Sequence, residues 1–408
     1  MTDVIIIGGG FPGLVAAIAC SKLNLKVQLF DVKDSLKDSQ LHAFKPIVLN
    51  AASWQLLQAL DVAKALESKA HGLKKMHVLR DAWSTFSFDA DQRRHPHLGY
   101  VVMGADLQNE LAKTVEQDQN ITCFLNAKID SIEAGDQPQI HIADKAYAAK
   151  LLIVADGRQS ENRTKLGMAY TQSEWDKNAL VASVELEDAC EDAYLRFVSG
   201  GTAACIPTAS GMHQIILAKQ KSDDIFKLDD EALLASLKAH MADICEVKKL
   251  HRHMVFPLGQ GIASKVAMPG AILLGDAGFA IPPVGAQGLN LAFFDIGVLA
   301  DILAHAIENE VPFNDEKFSQ RYNQTVMPHH DKLLKGVSTL MNLFDMNAIW
   351  LQSMHGLALK LANYVSPFKR YVAEFGMGFR YPMPALIRGQ IPKIYPKVMR
   401  QAEVDSDA

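Results

Sequence analysis

The stretch from residue 4 to residue 13 reads VIIIGGGFPG and decides the fold. Its apolar run, Val4 to Ile7, predicts a buried strand, and a helical pattern from Leu14 to Leu23 follows the glycines. A second apolar run, Val27 to Phe30, comes directly after that helix. Strand, helix and strand in this order predict a βαβ unit at the start of the chain.

The glycines of this stretch fit the GxGxxG pattern of nucleotide-binding turns. Gly8 permits a tight turn, Gly10 lets the backbone approach a pyrophosphate, and Gly13 allows close packing of helix on strand. Phe11 and Pro12 open the helix, whose N–H groups and partial positive charge would face the phosphates. The alternative is a glycine-rich turn in an ordinary α/β fold, but the strands on both sides favour nucleotide binding.

Asp31 stands at the end of the second apolar run. A carboxylate at this position can accept hydrogen bonds from ribose hydroxyls, and it would repel a 2′-phosphate. FAD or NAD therefore fits the pattern better than NADP.

A second motif begins with the apolar run LLIVA at residues 151–155 and continues as Asp156-Gly157, with Arg163 beyond. An Asp-Gly pair after a strand is usually a plain turn. Alone, this motif therefore predicts no function.

The third motif is a buried strand, AILL at residues 271–274, that ends in Gly275-Asp276. A loop with Pro283 leads into a predicted helix from about residue 286 to 307. Asp276 could bond a ribityl hydroxyl, and the helix N-terminus could face the negative charge of a reduced flavin. A simple strand–loop–helix connection explains the pattern equally well. The residues of the helix start are Gly285, Ala286, Gln287, Gly288, Leu289 and Asn290.

Composition excludes several classes of protein. The 408 residues carry 41 basic and 46 acidic side chains, a net charge of −5, which argues against general nucleic-acid binding. Five scattered cysteines without a CxxC pair support neither a disulfide framework nor a zinc site. The histidines at 251, 253, 329 and 330 are expected to be structural, so no metal is predicted. The start of the chain lacks a signal pattern, and no spanning helix is expected.

Order and spacing make the three motifs specific together. The chain resembles the class A FAD-dependent monooxygenases, which share the p-hydroxybenzoate hydroxylase fold. It looks most like the ubiquinone-biosynthesis hydroxylases, because the runs LNAASWQ at 49–55 and LGYVV at 98–102 are similar to theirs. The segments GTAACIP at 201–207 and GMG at 376–378 extend the resemblance over nearly the whole chain.

The resemblance implies an α/β fold: a Rossmann-like FAD-binding domain of the GR2 type with an inserted antiparallel-sheet substrate domain and a helical C-terminal region. The expected bounds are 1–75, 98–178 and 265–320 for the FAD-binding domain, 76–97 and 179–264 for the substrate domain, and 321–400 for the C-terminal region.

The same resemblance implies an aromatic ring hydroxylase that uses NAD(P)H as co-substrate and O₂, acting through a C4a-hydroperoxyflavin. The expected substrate is a prenylated phenol of ubiquinone biosynthesis. No catalytic side chain is assigned, because the cofactor carries the chemistry. The alternatives are a hydroxylase of a small soluble aromatic compound, and a non-oxygenating flavoprotein or assembly subunit of the quinone pathway.

Two residues depart from the family pattern. Lys45 stands where an arginine is expected, and a lysine offers a point charge in place of a bidentate fork. Phe279 stands where the family's GDAAH motif has histidine. The motifs still predict FAD binding, with Lys45 among the cofactor contacts.

Residues 365–400 carry seven basic side chains and one acid, interleaved with apolar residues. This segment could contact a membrane surface or a biosynthetic complex, or it could pack on the flavin domain with its charges in solvent. The predicted location is cytoplasmic, with peripheral contact to the inner membrane left open. The oligomeric state is not predicted.

Overall fold

A computed structural model describes residues 2–37, 45–79, 84–198, 200–281, 287–345, 364–379 and 382–394, with the backbone alone for 337–345. The predicted site residues Pro283, Gly285 and Ala286 lie outside these ranges, as do three basic residues of the C-terminal segment, at 380, 397 and 400.

The described chain contains twenty strands and nine α-helices. The strands are β1 (Val4–Ile7), β2 (Val27–Phe30), β3 (Pro46–Asn50), β4 (Ala70–Leu73), β5 (Lys75–Leu79), β6 (Thr85–Asp89), β7 (Gly99–Met103), β8 (Ile121–Phe124), β9 (Ser131–Glu133), β10 (Gln139–Ile142), β11 (Lys145–Ala148), β12 (Leu151–Val154), β13 (Tyr170–Leu186), β14 (Ala193–Val198), β15 (Gly201–Pro207), β16 (His213–Gln220), β17 (Val247–Ala263), β18 (Ala267–Met268), β19 (Ala271–Leu273) and β20 (Phe279–Ala280). The helices are α1 (Phe11–Lys22), α2 (Ala51–Ala59), α3 (Ala63–Leu66), α4 (Gly104–Gln117), α5 (Glu161–Lys165), α6 (Asp230–Met241), α7 (Gln287–Glu308), α8 (Glu316–Asp345) and α9 (Ser366–Gly376).

A six-stranded sheet in the order β18-β19-β12-β1-β2-β8 forms the first half of the fold, and its strands are parallel except for β18. β1 and β12 are wholly buried, as their continuous apolar runs predict. Both predicted strands of the βαβ unit are confirmed. The helix between them begins at Phe11 and not at Leu14, because Pro12 has no N–H to lose in a first turn.

An eight-stranded sheet in the order β20-β17-β13-β16-β15-β14-β5-β6 forms the second half. One face of this sheet packs on α6 through Leu180, Ala182 and Ile215, which stand at alternating positions of their strands. β13 and β17 are 17 residues long and pair antiparallel from Tyr170 to Leu186. These two strands therefore extend from the large sheet back to the cofactor half of the molecule.

A three-stranded sheet, β3-β7-β4, packs between the two halves, and a second one, β11-β10-β9, lies beside the six-stranded sheet. Residues 76–97 supply most of β5 and all of β6 to the eight-stranded sheet. The predicted domain bounds remain a prediction.

α7 packs against α1, α2 and α8. By length and composition alone it passes the test for a membrane-crossing helix. The helix is mostly buried within the protein, as a core helix is. α8 follows it, and Pro328 lies inside α8.

α9 returns to the N-terminal half of the molecule and packs on β6 and on the 3₁₀-helix Ala90–Arg93. Arg93 forms an ion pair with Glu374 at 2.9 Å, and Ala373 and Met377 are buried there. The amide of Ala52 donates to the Met377 carbonyl at 3.0 Å. The late part of the chain thus closes against α2.

Candidate cofactor site

The three sequence motifs meet at the carboxyl ends of β1, β12 and β19. Gly8 has φ +111°, and a Cβ on it would overlap the Ala155 carbonyl, so the first turn lies directly against the second motif. Gly275 has φ +61°, and a Cβ there would stand 2.9 Å from the Cγ of Pro12. Glycine at these two positions therefore brings residues far apart in sequence to one edge of the sheet, where open α/β sheets bind ligands.

The glycine turn is held by two side chains from other elements. The Asp31 carboxylate accepts from the Gly9 amide and, at 2.7 Å, from the Lys33 amide. The Gln108 amide of α4 donates to the Gly9 carbonyl at 2.8 Å and to the Leu36 carbonyl at 2.7 Å. Asp31 still has lone pairs for a ribose, but its observed partners are in the turn.

Gln108 was missed by sequence reasoning. The side chain is buried, and its Oε1 has no partner among the described residues. It lies in a helix 99 residues from the turn it supports, in a segment without a recognisable motif. The amphipathic pattern of this helix predicts that Leu107 and Leu111 are buried. It does not predict that Gln108 is buried beside them and hydrogen-bonded to the glycine turn.

Asp156 follows β12, and its side chain is half-buried. Its Oδ2 accepts from the Asn162 side chain at 2.9 Å, and its Oδ1 is buried without a partner in the described chain. Gly157 has φ +89°, which explains why glycine follows this aspartate. An unpartnered buried oxygen is costly, so this arrangement favours a ligand or a bound water at Asp156.

Arg163 joins the second motif to the third. Its buried guanidinium donates to the Ala277 carbonyl at 2.8 Å and to the Arg158 carbonyl at 3.3 Å, and it lies 3.5 Å from the centre of the Tyr170 ring. Burial raises the pKa of the Tyr170 hydroxyl in spite of the nearby arginines. Arg163 therefore positions the site and is not available to a ligand.

Two cations lie near Asp276. Its side chain is exposed, desolvation by the nearby protein raises the pKa of the carboxyl, and the charges of Lys45 and Arg158 oppose that shift. Lys45 is thus brought close to Asp276, although 231 residues separate the two in sequence.

The start of α7 is fixed by Asn290. Its Oδ1 accepts from the Asn50 amide at 2.9 Å, and its Nδ2 donates to the Val48 carbonyl at 2.9 Å. Both ends of this amide are therefore used to fasten α7 to β3. Gln287 is buried and Leu289 half-buried, and Gly288 has Ile281 as its near neighbour. The predicted contacts of these residues with a cofactor remain a prediction.

The residues present fit FAD. A Cβ built on Gly10 would have no atom nearer than the Pro12 Cδ at 4.0 Å, chain neighbours aside, so there is open space beside the backbone at the start of α1. The buried oxygens of Asp156 and Gln108 and the buried Nε of Arg158 lack partners in the described chain. These oxygens can accept hydrogen bonds from the hydroxyl groups of a dinucleotide. The Arg158 Nε and the N-terminus of α1 can donate hydrogen bonds to its phosphate groups.

Fold and cleft together define a flavoprotein. The FAD binding domain family matches residues 1–334, and the chain belongs to this family. Its relatives include 3-demethoxyubiquinol 3-hydroxylase of Escherichia coli, 24% identical over 390 residues that cover 92% of this chain and 98% of the relative. Human mitochondrial ubiquinone biosynthesis monooxygenase COQ6 is 24% identical, with 91% and 92% covered.

Solved structures share the fold. p-Nitrophenol 4-monooxygenase PnpA from Pseudomonas putida superposes with a TM-score of 0.75 at 13% identity, covering 94% of this chain and 99% of that one. The predicted fold class and the predicted resemblance are confirmed. The chain is a FAD-dependent monooxygenase, as the motifs predicted.

A buried hydrogen-bonded pair joins α7 to α8. His330 of α8 and Asp295 of α7 meet at 2.8 Å, and the Phe279 ring stacks on the His330 ring with centroids 4.4 Å apart. His251 and His253 face carboxylates at the surface, Glu185 at 3.7 Å and Asp230 at 3.5 Å. No group of ligands able to hold a metal ion occurs among the described residues.

Proposed function

We propose that this protein hydroxylates the aromatic ring of a prenylated phenol in ubiquinone biosynthesis, with NAD(P)H as reductant. The balanced reaction converts the phenol, O₂, NAD(P)H and a proton into the hydroxylated phenol, NAD(P)⁺ and water. The names of the relatives support the pathway, because two ubiquinone hydroxylases match nearly the full chain.

One structural observation carries the substrate class. The face of the eight-stranded sheet opposite α6 bears a row of directly paired aliphatic residues: Val181, Ile216, Ala204, Leu195 and Val78. All but Val181 are partly exposed, so the row lines accessible space. An apolar, accessible surface suits a ligand with a hydrocarbon substituent.

The residues of the cofactor site would divide the work as follows. The glycine turn and α1 would hold the FAD pyrophosphate, Asp31 the ribose, and Asp276 the ribityl chain. FAD, when bound, would pass the electrons of NAD(P)H to O₂ and supply the oxygen atom that enters the ring. The aliphatic row would exclude water from the ring. Lys45 and Arg158 add positive charge beside Asp276.

Oxygen-18 gas tests the reaction. The purified protein with FAD, NADH or NADPH and 2-geranylphenol should give a hydroxylated product that carries one labelled oxygen atom. NAD(P)H oxidation with peroxide as the sole oxygen product would contradict the proposal and indicate a reductase. Labelled product from 4-hydroxybenzoate, with none from the geranyl compound, would indicate a hydroxylase of small soluble aromatics.

The pathway requires its own test, in the organism that carries the gene. Deletion should cause accumulation of a prenylated intermediate that lacks one hydroxyl-derived group, read by mass spectrometry. An unchanged quinone profile in a strain with no second hydroxylase of this family would contradict the pathway assignment.

We also propose that α9 contacts an anionic membrane surface. Seven large apolar side chains are exposed in the described chain, and four of them lie within eight residues: Tyr364, Val365, Phe368 and Tyr371, at 79%, 50%, 46% and 55%. Lys369 and Arg370 lie among them, and the one acid of the helix, Glu374, is paired with Arg93. Aromatic residues beside cations favour a bilayer interface. The surface of these four apolar residues is smaller than the area that a stable dimer interface buries.

A further inference from the structure

Gln214 is a buried polar residue on the apolar face of the eight-stranded sheet. Its side chain is 2% exposed, and its Nε2 donates to the Ser183 hydroxyl at 3.1 Å. Its Oε1 has no hydrogen-bond partner within the described ranges. Leaving a buried amide oxygen unpaired costs about 1–3 kcal/mol, so this position needs a compensating role.

The register of the sheet places Gln214 in the cross-strand row next to the aliphatic row, two residues from Ile216 on the same strand. Gln214 pairs directly with Ser183 on one side and Ile206 on the other. Ile216 stands two residues further along the same strand and therefore points to the same face. The opposite face, with Ile215 and Cys205, is fully buried against α6. The polar amide thus borders the accessible face of the sheet and not the closed one.

Contacts connect this position to the cofactor site. Ile206, the neighbour of Gln214, packs against the buried cluster of Leu73, Val101 and Ala193, and Val48 of the three-stranded sheet packs against the same cluster. The Val48 carbonyl accepts from Asn290, which stands in the first turn of α7. Side-chain contacts therefore link the surroundings of Gln214 to the start of α7.

We infer that the Gln214 amide is the hydrogen-bond partner of the substrate's ring hydroxyl, and that the aliphatic row holds its hydrocarbon substituent. This inference rests on the proposed function and specifies its substrate as an uncharged phenol. None of the residues in the row is charged. Arg252 is opposite Ser183 at the exposed edge of the sheet, outside the row.

The substitution Gln214→Leu tests the inference by ligand binding to the FAD-loaded enzyme, followed by flavin fluorescence. The affinity for 2-geranylphenol should fall about tenfold, the loss of one hydrogen bond of about 1.4 kcal/mol. The affinity for its O-methyl ether should not change, because the ether has no hydrogen to donate. The melting temperature should stay level or rise, since the variant removes an unpaired buried oxygen.

Gln92→Leu is the matched control. Gln92 also has a buried, unpartnered Oε1 in the described chain, but it lies in the 3₁₀-helix under α9. This variant should leave the affinities for both ligands unchanged. Equal weakening of phenol and ether by Gln214→Leu would overturn the inference, as would unchanged binding of both. If the wild-type enzyme hydroxylates 2-geranylphenol in either case, the proposed function stands and only the role of Gln214 fails.

Discussion

Asp276 is a residue whose carboxylate can bind a ligand but lowers the stability of the ligand-free protein. The protein around it raises the pKa of its carboxyl, so the charged form is less favourable in the folded chain than in the unfolded one. Such a carboxylate destabilises the protein unless a ligand donates hydrogen bonds to it. The residue is therefore better explained by cofactor binding than by folding.

We expect Asp276→Asn to lower flavin occupancy in the purified protein while stabilising the flavin-free protein. The folded-state pKa is raised, so the native carboxylate loses stability as pH rises from its unfolded pKa of about 4 through the folded value. The stability gain of the variant should thus be absent at low pH and complete above that window. Urea unfolding of flavin-free protein at several pH values measures this. Full flavin occupancy with unchanged turnover would remove Asp276 from the site.

The pair of Asp295 and His330 stabilises the fold. Both side chains are almost fully buried, at 6% and 2% exposure. Asp295→Ala leaves the histidine without its partner, and breaking a buried pair typically costs about 3 kcal/mol or more. The urea midpoint should fall accordingly. Asp301→Ala, which removes longer bonds at 3.2 Å to the Ala385 amide from a half-buried site, should cost about 1 kcal/mol. An equal cost for both variants would contradict this ranking.

At the scale of the element, α9 presents apolar side chains to solvent at a spacing of about three residues. The double variant Phe368→Ser, Tyr371→Ser should lower co-sedimentation with phosphatidylglycerol vesicles about tenfold, because two aromatic rings lose their place in the bilayer interface. Val32→Ser is the control, since Val32 is an apolar residue that is 68% exposed and lies outside α9, near the N-terminus of the chain. It should sediment like the wild type.

Two results would contradict the membrane contact. The first is equal sedimentation of the wild type and the double variant. The second is a wild-type dimer that the double variant converts to a monomer, which would assign this helix face to a second copy of the chain. Unchanged flavin content of both variants would show that the fold is intact.

The elements that carry the cofactor motifs could be predicted because each one has a recognisable local sequence pattern. Val4–Ile7 is a continuous apolar run, and Gly8 and Gly275 stand where the backbone requires positive φ. Gln108 could not be predicted, because its role depends on a contact across 99 residues. Gln214 lies in β16, whose alternating pattern predicts the face of the sheet to which each side chain points. The pattern does not predict that the Gln214 Oε1 lacks a hydrogen-bond partner in the described chain.

The course of α7 and α8 depends on packing that the sequence does not display. Pro328 lies inside α8, although a proline signal taken locally marks a helix boundary. Burial against neighbouring helices decides whether a helix continues past such a residue. Tertiary packing also explains why α7 tolerates the buried Asp295, which is hydrogen-bonded to His330 of α8.

At the scale of the whole molecule, the long pair β13–β17 joins the two halves. Seventeen residues of extended chain measure roughly 55 Å. The Tyr170 end lies under Arg163, and the Leu186 end packs near α6. The two halves therefore share the backbone hydrogen bonds of one strand pair, whose register shifts at three points, between Glu174 and Asn178, Ser183 and Val184, and Glu185 and Leu186.

We expect one cooperative unfolding transition of the flavin-free protein, because neither half can lose its sheet without breaking this strand pair. Differential scanning calorimetry should give a calorimetric enthalpy equal to the van't Hoff enthalpy. Two resolved transitions would contradict the coupling. Arg163→Ala, which removes the buried cation at the junction, should lower the transition temperature without splitting it.

The distribution of the three motifs along the chain has a consequence for biosynthesis. Gly8 and Asp156 leave the ribosome early, but their neighbour Gly275 emerges only after two thirds of the polypeptide has been made. β1, β2, β8 and β12 can pair before then, since all four precede residue 155. The nascent chain therefore acquires its first sheet without the strand that completes the cleft. A flavin that contacts all three motifs can therefore be bound only after residue 276 has been synthesised.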